Sequence, residues 1–370
     1  MPATAMRPRR SRVGLVFFLC VLALAAWEVV GRVAAPGVVT PLEFVSAAWA
    51  VARGGSVAGA GAPSDEEMAK MAFRPLPYLN YGFKPDWTRP PVKTRTREAH
   101  TNSLGYRGPE VQQPKPAGRY RIICLGGSTT YDDGVNDDET YPLRLQQFLR
   151  EARPDRDIEV INAGVNSYTT AENLANLSLR LLDLQPDAIV LYEGINDWRP
   201  RTYPDFDSAY FHYRKVWDGS ARHYEAGPPG TEMAGGINPF IQYNSPPGQD
   251  TAANARAAGP AAFERNLVSM AGIAKEHGVA VVMVSNTIDE ANPYLREDAS
   301  FLPGIREHNE VIRKVCSEHG ALFVDLDAKF PKGADVPEGG LFVDIVHNNP
   351  RGSEIKARII ADGILAGLLP

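Results

Sequence analysis

RYRIICLGGSTT, residues 119–130, is an apolar run that ends in two glycines and a serine. A continuous apolar run of this kind predicts a strand that is buried on both faces of a parallel sheet. Ser128 then stands at the carboxyl end of the strand, which is the edge of an open α/β sheet where ligands bind. Taken alone, Gly-Gly-Ser is also an ordinary turn. Segments further along the chain favour the interpretation of Ser128 as a nucleophile.

After this run the pattern alternates between strands and helices. Continuous apolar runs predict the strands, and amphipathic patterns between them predict the helices. The predicted strands are 121–125, 158–162, 188–193, 279–285 and 322–325, and the predicted helices are 141–150, 171–184, 262–277, 304–319 and 352–368. This alternation predicts an α/β fold, a three-layer α/β/α sandwich with a five-stranded parallel sheet and right-handed crossovers.

One interval interrupts the alternation. Between Trp198 and Pro260 lie about sixty residues rich in Pro, Gly, Tyr and Phe, where a connection of a few residues would be enough. Such an insertion at the ligand-binding edge can form a lid or a substrate wall. It can equally be a structural or disordered excursion, and the sequence does not separate these alternatives.

The chain is predicted to have three parts. Residues 1–32 form an N-terminal membrane anchor or signal segment, 33–118 form a linker and an N-terminal extension, and 119–370 form the α/β domain with its insertion at about 198–260. The Gly, Ala and Pro residues of 33–63 are typical of a linker, whereas the aromatic residues of 75–108 favour an ordered extension that packs on the domain.

The first residues carry a membrane signal. Four arginines, Arg7, Arg9, Arg10 and Arg12, precede the uncharged run VGLVFFLCVLALAAW at 13–27. Positive charge on that side predicts that it stays in the cytoplasm and that the catalytic domain is extracytoplasmic. An uncleaved anchor is favoured, although the run is short for a span and the Ala-Leu-Ala motif at 23–25 offers a signal-peptide cleavage site.

Composition excludes several classes of protein. Of the 370 residues 44% are hydrophobic and 22% charged, which is globular composition. A net charge of −5, with no Lys/Arg block in the body, argues against a nucleic-acid partner.

Three cysteines cannot form a disulfide framework, and the buried ones, Cys124 and Cys316, are expected to be free thiols. No metal or cofactor is implied, and the oligomeric state is not readable from the sequence.

Two further residues complete a pattern for acyl transfer. Asp344 and His347 lie three residues apart, just before the last predicted helix. That spacing on a turn can place the carboxylate against one imidazole nitrogen while the other nitrogen faces Ser128. The reaction needs a nucleophile, a base and a group that orients the base, and these residue types fill the three roles.

Donors for the oxyanion follow the second and third strands. Gly164 can bring a backbone N–H close to a ligand because it has no Cβ, and Asn196 offers a side-chain amide. With the N–H of Ser128 they make three candidate donors, each worth on the order of 10²–10³ in rate when aimed at the oxyanion. A turn glycine and a helix-capping asparagine are the structural alternatives.

These blocks resemble the SGNH (GDSL-type) hydrolase family, in the same order and over about 119–368. The resemblance implies the flavodoxin-like SGNH fold. It also implies Ser128 as nucleophile, His347 as base, Asp344 as its orienting group, and Ser128, Gly164 and Asn196 as the oxyanion hole. One departure is Gly127, which stands where the family usually has aspartate. A Gly-Gly-Ser block resembles a membrane-anchored bacterial subgroup.

Three functions remain open at this stage. The first is a serine esterase, lipase or acylhydrolase acting on a small-molecule or glycan ester, such as an O-acetylated exported glycan. The second is an O-acyltransferase that passes the same acyl group to a sugar hydroxyl of an extracytoplasmic polysaccharide. The third is a non-catalytic binding module on the same scaffold, against which the presence of Ser128, Asp344 and His347 together argues.

Overall fold

The predicted strands form one sheet. In the computed structural model, which describes residues 72–76, 78–89, 97–213 and 249–369, five parallel strands lie in the order β4-β3-β5-β6-β7. The strands are β3 (Arg119–Gly126), β4 (Asp157–Asn162), β5 (Ala188–Tyr192), β6 (Ala280–Val284) and β7 (Leu322–Val324). The α/β fold class with a five-stranded parallel sheet is confirmed.

Helices cover both faces of the sheet. They are α1 (Ser128–Tyr131), α2 (Tyr141–Ala152), α3 (Thr170–Asn176), α4 (Ile195–Arg201), α5 (Thr251–Ala258), α6 (Ala261–Glu276), α7 (Tyr294–Glu297), α8 (Phe301–His319), α9 (Leu326–Lys329) and α10 (Pro350–Gly367). Alternate strand residues point to opposite layers. Ile123 and Leu125 belong to the core under α6 and α8, whereas Ile122 and Cys124 belong to the core under α2 and α10.

The second predicted helix is not one continuous α-helix. α3 ends at Asn176 and is followed by a π-helical turn, Leu177–Leu181, and a 3₁₀ turn, Leu182–Leu184. Leu177 and Leu181 are nonetheless fully buried. The amphipathic pattern of 171–184 therefore predicts which side chains enter the core, but not the hydrogen-bond pattern of the backbone that carries them.

The N-terminal extension contacts the segment that bears Ser128. Its hairpin pairs β1 (Phe73–Leu76) with β2 (Asn80–Phe83), and the ring of Phe83 stacks on Tyr131 with centroids 4.5 Å apart. The buried guanidinium of Arg107 donates to the carbonyls of Tyr131, Asp132 and Val135 at 2.9, 2.9 and 2.8 Å. The extension thus satisfies backbone acceptors just beyond α1.

The described ends of the insertion are part of the domain. Tyr203, Tyr210 and Tyr213 are buried, and the Tyr210 hydroxyl donates to Asp197 Oδ1 at 3.0 Å. From α4, Arg201 Nη2 donates to the carbonyl of Ala255 in α5 at 3.0 Å. These parts therefore have a structural role, while 214–248 lie outside the described residues.

Two expectations concern the membrane and the thiols. The basic-apolar segment at 7–27 lies outside the described residues, and within the described part of the chain no helix has the length and apolarity that crossing a membrane requires. Cys124 and Cys316 are buried and free, which confirms the expectation for both.

Candidate active site

Ser128 begins α1 at the carboxyl end of β3. The turn before it is tight, since a Cβ on Gly126 would lie 2.2 Å from both Thr130 Oγ1 and the carbonyl oxygen of Tyr192. Thr130 Oγ1 donates to that carbonyl at 3.1 Å, which fixes α1 to the neighbouring strand β5. The result is a partly exposed serine hydroxyl, whose backbone N–H lies in the first turn and has no partner within the helix.

The structure brings Ser128, His347 and Asp344 together. His347 Nε2 lies 2.7 Å from Ser128 Oγ, and His347 Nδ1 lies 2.7 Å from Asp344 Oδ2. The other carboxylate oxygen of Asp344 accepts the backbone N–H groups of Val346 and His347 at 2.9 and 2.8 Å. These partners assign the proton of a neutral His347 to Nδ1, so that Nε2 is free to accept the proton of the serine hydroxyl.

The contacts between Asp344 and His347 favour the charged form of both side chains. Burial opposes ionisation of Asp344, but the hydrogen bond and charge of His347 and two backbone N–H groups outweigh it and lower the pKa of Asp344 to about 2. Burial also opposes the charge on His347, but the hydrogen bond and charge of Asp344, with a further contribution from Asp133, raise its pKa above 6.5. An imidazolium that forms during a reaction is therefore stabilised.

The side-chain amide of Asn196 lies beside the turn that carries Ser128. It lies in the first turn of α4, and its Nδ2 donates to the carbonyl of Tyr168 at 2.8 Å. An amide nitrogen carries two hydrogens, so this bond fixes the group and leaves the second hydrogen for another acceptor. A Cβ on Gly127, the residue before Ser128, would lie 2.2 Å from this same nitrogen. The amide is thus adjacent to the nucleophile turn.

The sequence predicts that the backbone N–H of Gly164 faces a ligand, but in the structure this N–H donates to a side chain of the protein. Its N–H donates to Asn162 Oδ1 at 3.1 Å. A Cβ at this position would lie 2.2 Å from the backbone nitrogen of Tyr131, so the glycine allows α1 to approach the loop after β4. In this structure Gly164 serves packing, and its role as an oxyanion donor stays a prediction.

The loop that leads into α4 is held by buried polar side chains. Asn286 Nδ2 donates to the carbonyl of Glu193 at 2.9 Å, and His308 Nδ1 lies 2.7 Å from the carbonyl of Gly194. A carbonyl only accepts, so His308 is the donor in this bond, and its Nε2 accepts from Arg201 Nη1 at 2.9 Å. Burial, together with the charge of Arg201, lowers the pKa of His308 to about 3.

Several residues near the site were not found from the sequence. Arg89, in the irregular extension, forms a buried ion pair with Asp133, whose charge acts on His347. Lys356 is buried and donates to the carbonyl of Thr129 at 3.0 Å. A lysine on the apolar face of the last helix was a readable signal of a buried charge, whereas nothing in the local pattern marks Arg89.

The acidic, histidine and cysteine side chains of the described residues do not cluster as metal ligands. Within 72–76, 78–89, 97–213 and 249–369, no group of three or more His, Cys, Asp or Glu side chains is arranged to hold a metal ion.

A hydroxyl, an imidazole and a carboxylate joined by hydrogen bonds at the carboxyl edge of a parallel α/β sheet are the parts of a serine hydrolase. The chain belongs to the GDSL-like lipase/acylhydrolase family, whose model matches residues 124–355. That match spans well over half of the chain and contains Ser128, Gly164, Asn196, Asp344 and His347. The protein is an ester hydrolase of the SGNH type.

Solved structures with similar folds include three from bacteria. A GDSL-like lipase from Parabacteroides merdae has 16% identity and a TM-score of 0.46, covering 69% of this chain and 98% of that one. An acetylxylan esterase from Geobacillus stearothermophilus has 17% identity and a TM-score of 0.45, covering 66% and 94%. A G-D-S-L family lipolytic protein from Desulfitobacterium hafniense has 14% identity and a TM-score of 0.42, covering 66% and 98%. A search of curated proteins finds no match.

His347 and His308 should titrate at very different pH values. We expect the ring of His347 to titrate above pH 6.5, and the Asp344→Asn substitution to lower its pKa, because the amide carries no charge. Ring resonances followed by NMR against pH, assigned with His347→Gln, measure both. His308 is the internal control, since it should stay neutral above about pH 5. An unchanged pKa of His347 in Asp344→Asn would contradict the pairing.

Proposed function

We propose that this protein is a serine esterase that works through Ser128, His347 and Asp344 and forms a covalent acyl-serine. The observation that carries the proposal is the unbroken chain of two 2.7 Å contacts, from Ser128 Oγ to His347 Nε2 and from His347 Nδ1 to Asp344 Oδ2. Each contact joins groups of the chemical type and geometry that nucleophilic acyl transfer needs.

The proposed reaction has two halves. Ser128 Oγ attacks the ester carbonyl carbon while His347 Nε2 takes the hydroxyl proton, and the resulting oxyanion accepts hydrogen bonds from Asn196 Nδ2 and the N–H of Ser128. The intermediate then breaks its bond to the alcohol oxygen, which takes the proton from His347. Water attacks the acyl-serine with the same base, and the acid leaves as Ser128 regains its proton.

The pH dependence follows from the protonation of the base. Only neutral His347 can accept the serine proton, and its pKa is raised by Asp344. Ester cleavage should therefore be slow at pH values below the raised pKa of His347 and become faster as the pH rises through that pKa. Asp344, with a pKa of about 2, stays ionised throughout that range and keeps the imidazole oriented.

The first test removes the nucleophile. We expect Ser128→Ala to lower turnover of p-nitrophenyl acetate about 10³-fold or more, because the covalent step is lost while the fold is retained. Ser178→Ala is the matched control, since that exposed serine donates only to the carbonyl of Leu174. Thermal melting and circular dichroism check the fold. Wild-type turnover in the Ser128→Ala variant would reject the assignment.

We further propose a short acyl ester on an exported glycan as the substrate. The basic-apolar N-terminal segment supports export, and the aromatic-rich insertion starts two residues after Asn196, within reach of the oxyanion site. Among the described insertion residues Phe211 is 72% exposed, a surface suited to sugar stacking. Remote contacts of this kind supply binding energy that a small activated ester does not use.

The substrate proposal predicts a preference for short acyl groups. The full chain in detergent should cleave p-nitrophenyl acetate at least about tenfold better than the octanoate, since each extra methylene must fit the acyl site. Acetylated oligosaccharides should release acetate, measured by mass spectrometry. A preference for octanoate would contradict a short acyl group. Acetylated product on an added acceptor sugar, with no free acetate, would instead identify an acyltransferase.

We also propose that an uncleaved N-terminal segment anchors the enzyme with its catalytic domain outside the cytoplasm. The support is Arg7, Arg9, Arg10 and Arg12 ahead of the uncharged run at 13–27. Fractionation of the producing cell should recover the protein with membranes, and protease added from outside should digest the domain. A soluble form that starts near residue 26 would show cleavage instead, and a version with the four arginines replaced by glutamine tests the orientation.

A further inference from the structure

Gly127 is a glycine for reasons of space. Its φ of −86° and ψ of −148° lie outside the left-handed region, so the sign of φ does not call for glycine. A Cβ on this residue, however, would lie 2.2 Å from Asn196 Nδ2 and 3.2 Å from Glu193 Oε2. The volume beside the nucleophile turn is therefore already occupied by the side chains of Asn196 and Glu193.

Glu193 holds the start of the helix that carries Asn196. The residue is 2% exposed, and its Oε1 accepts the N–H of Gly194 at 2.9 Å. The backbone N–H of Asn196 also acts on this carboxyl group and lowers its pKa. Both N–H groups belong to the start of α4, where backbone donors have no partner within the helix. The carboxyl group of Glu193 thus sets the position of the backbone from which the Asn196 amide projects.

A second contact fixes the carboxyl group itself. Glu193 Oε2 accepts from Asn173 Nδ2 at 3.2 Å, and Asn173 belongs to α3. In the described part of the chain, no ion pair joins Glu193 to a lysine or arginine. Burial, and then the neighbouring charge of Asp197, raises the pKa of Glu193 well above its usual range. The neutral, protonated form of Glu193 is therefore favoured at this buried position.

We propose that Glu193 is a positioning residue for the oxyanion donor Asn196. Its carboxyl group, directly after β5, takes the place of the aspartate that the Gly-Asp-Ser block of the family has at position 127. An aspartate at 127 does not fit beside the present side chains, because its Cβ would lie 2.2 Å from Asn196 Nδ2 and 3.2 Å from Glu193 Oε2. This inference rests on the proposed function, since it takes Asn196 as the donor in the esterase reaction.

The first part of the test removes the carboxyl group. Glu193→Ala should lower kcat on p-nitrophenyl acetate about 10²-fold with little change in KM, because a misaligned oxyanion donor costs about as much as a missing one. Glu193→Gln, which keeps the shape and one acceptor, should retain most of the activity. Glu159→Ala is the matched control, because Glu159 is also largely buried but bonds Arg119 and Arg121 near the amino ends of β3 and β4, at the edge of the sheet opposite Ser128.

The second part moves the carboxyl group to residue 127. Gly127→Asp alone should lose activity, because its side chain meets both Asn196 and Glu193. In the Gly127→Asp/Glu193→Ala double variant the Asn196 amide can shift into the vacated space, and kcat should rise at least about tenfold above either single variant. Gly127→Ala/Glu193→Ala provides the space without the carboxyl group and should show no such rescue.

The outcomes separate the possible failures. Unchanged kcat in Glu193→Ala, or a loss no larger than in Glu159→Ala at equal folded fraction, would overturn the positioning role. A double variant no better than Gly127→Asp, or rescue by alanine as well as aspartate at residue 127, would overturn the exchange of carboxyl groups. If Glu193→Ala does not fold, Glu193→Leu, which keeps most of the volume and removes both acceptors, takes its place in the same comparisons. Absence of Ser128-dependent hydrolysis in the wild type would reject the proposed function instead.

Discussion

The buried carboxylate of Asp132 holds the site together. Asp132 ends α1, and its Oδ2 accepts the N–H of Tyr141 at 2.7 Å and the hydroxyl of Ser353 at 2.5 Å. Its Oδ1 lies 3.2 Å from Lys356 Nζ, and each side chain is 1% exposed. Removing one partner of such a buried pair costs about 3–5 kcal/mol, because the other charge is left without compensation. The helix that begins at Ser128 is thereby tied to α2 and α10.

The turn that carries Asp344 and His347 is fixed independently on both of its sides. Val343 N–H donates to the carbonyl of His347 at 2.8 Å, and this closes the turn between the two catalytic candidates. From the neighbouring loop, the N–H of Asp289 donates to the carbonyl of Ile345 at 2.9 Å. Since α10 starts directly after this turn and also bonds Asp132, the distance between Ser128 and His347 is set by backbone contacts and one buried ion pair.

Local patterns in the sequence were sufficient for the fold and for the hydrogen-bonded grouping of Ser128, His347 and Asp344. Strands buried on both faces leave continuous apolar runs, and Asp344 and His347 meet because three residues on one turn bring them together. Gly164 shows the limit, since its place after a strand predicts proximity but not the direction in which its N–H points. Arg89 reaches Asp133 from a segment distant in sequence, and Glu193 likewise meets Asn173 and Gly127, contacts that no local pattern contains.

Two histidines show how the environment, rather than the side chain, assigns the chemistry. His347 is paired with a carboxylate, so its charged form is stabilised and it can hold a proton during the reaction. His308 is buried between Arg201 and the carbonyl of Gly194, so its charged form is disfavoured and it stays neutral. A neutral ring with both nitrogens bonded has a single tautomer and a fixed orientation. His308 is therefore suited to hold the peptide before Asn196, and His347 to transfer protons.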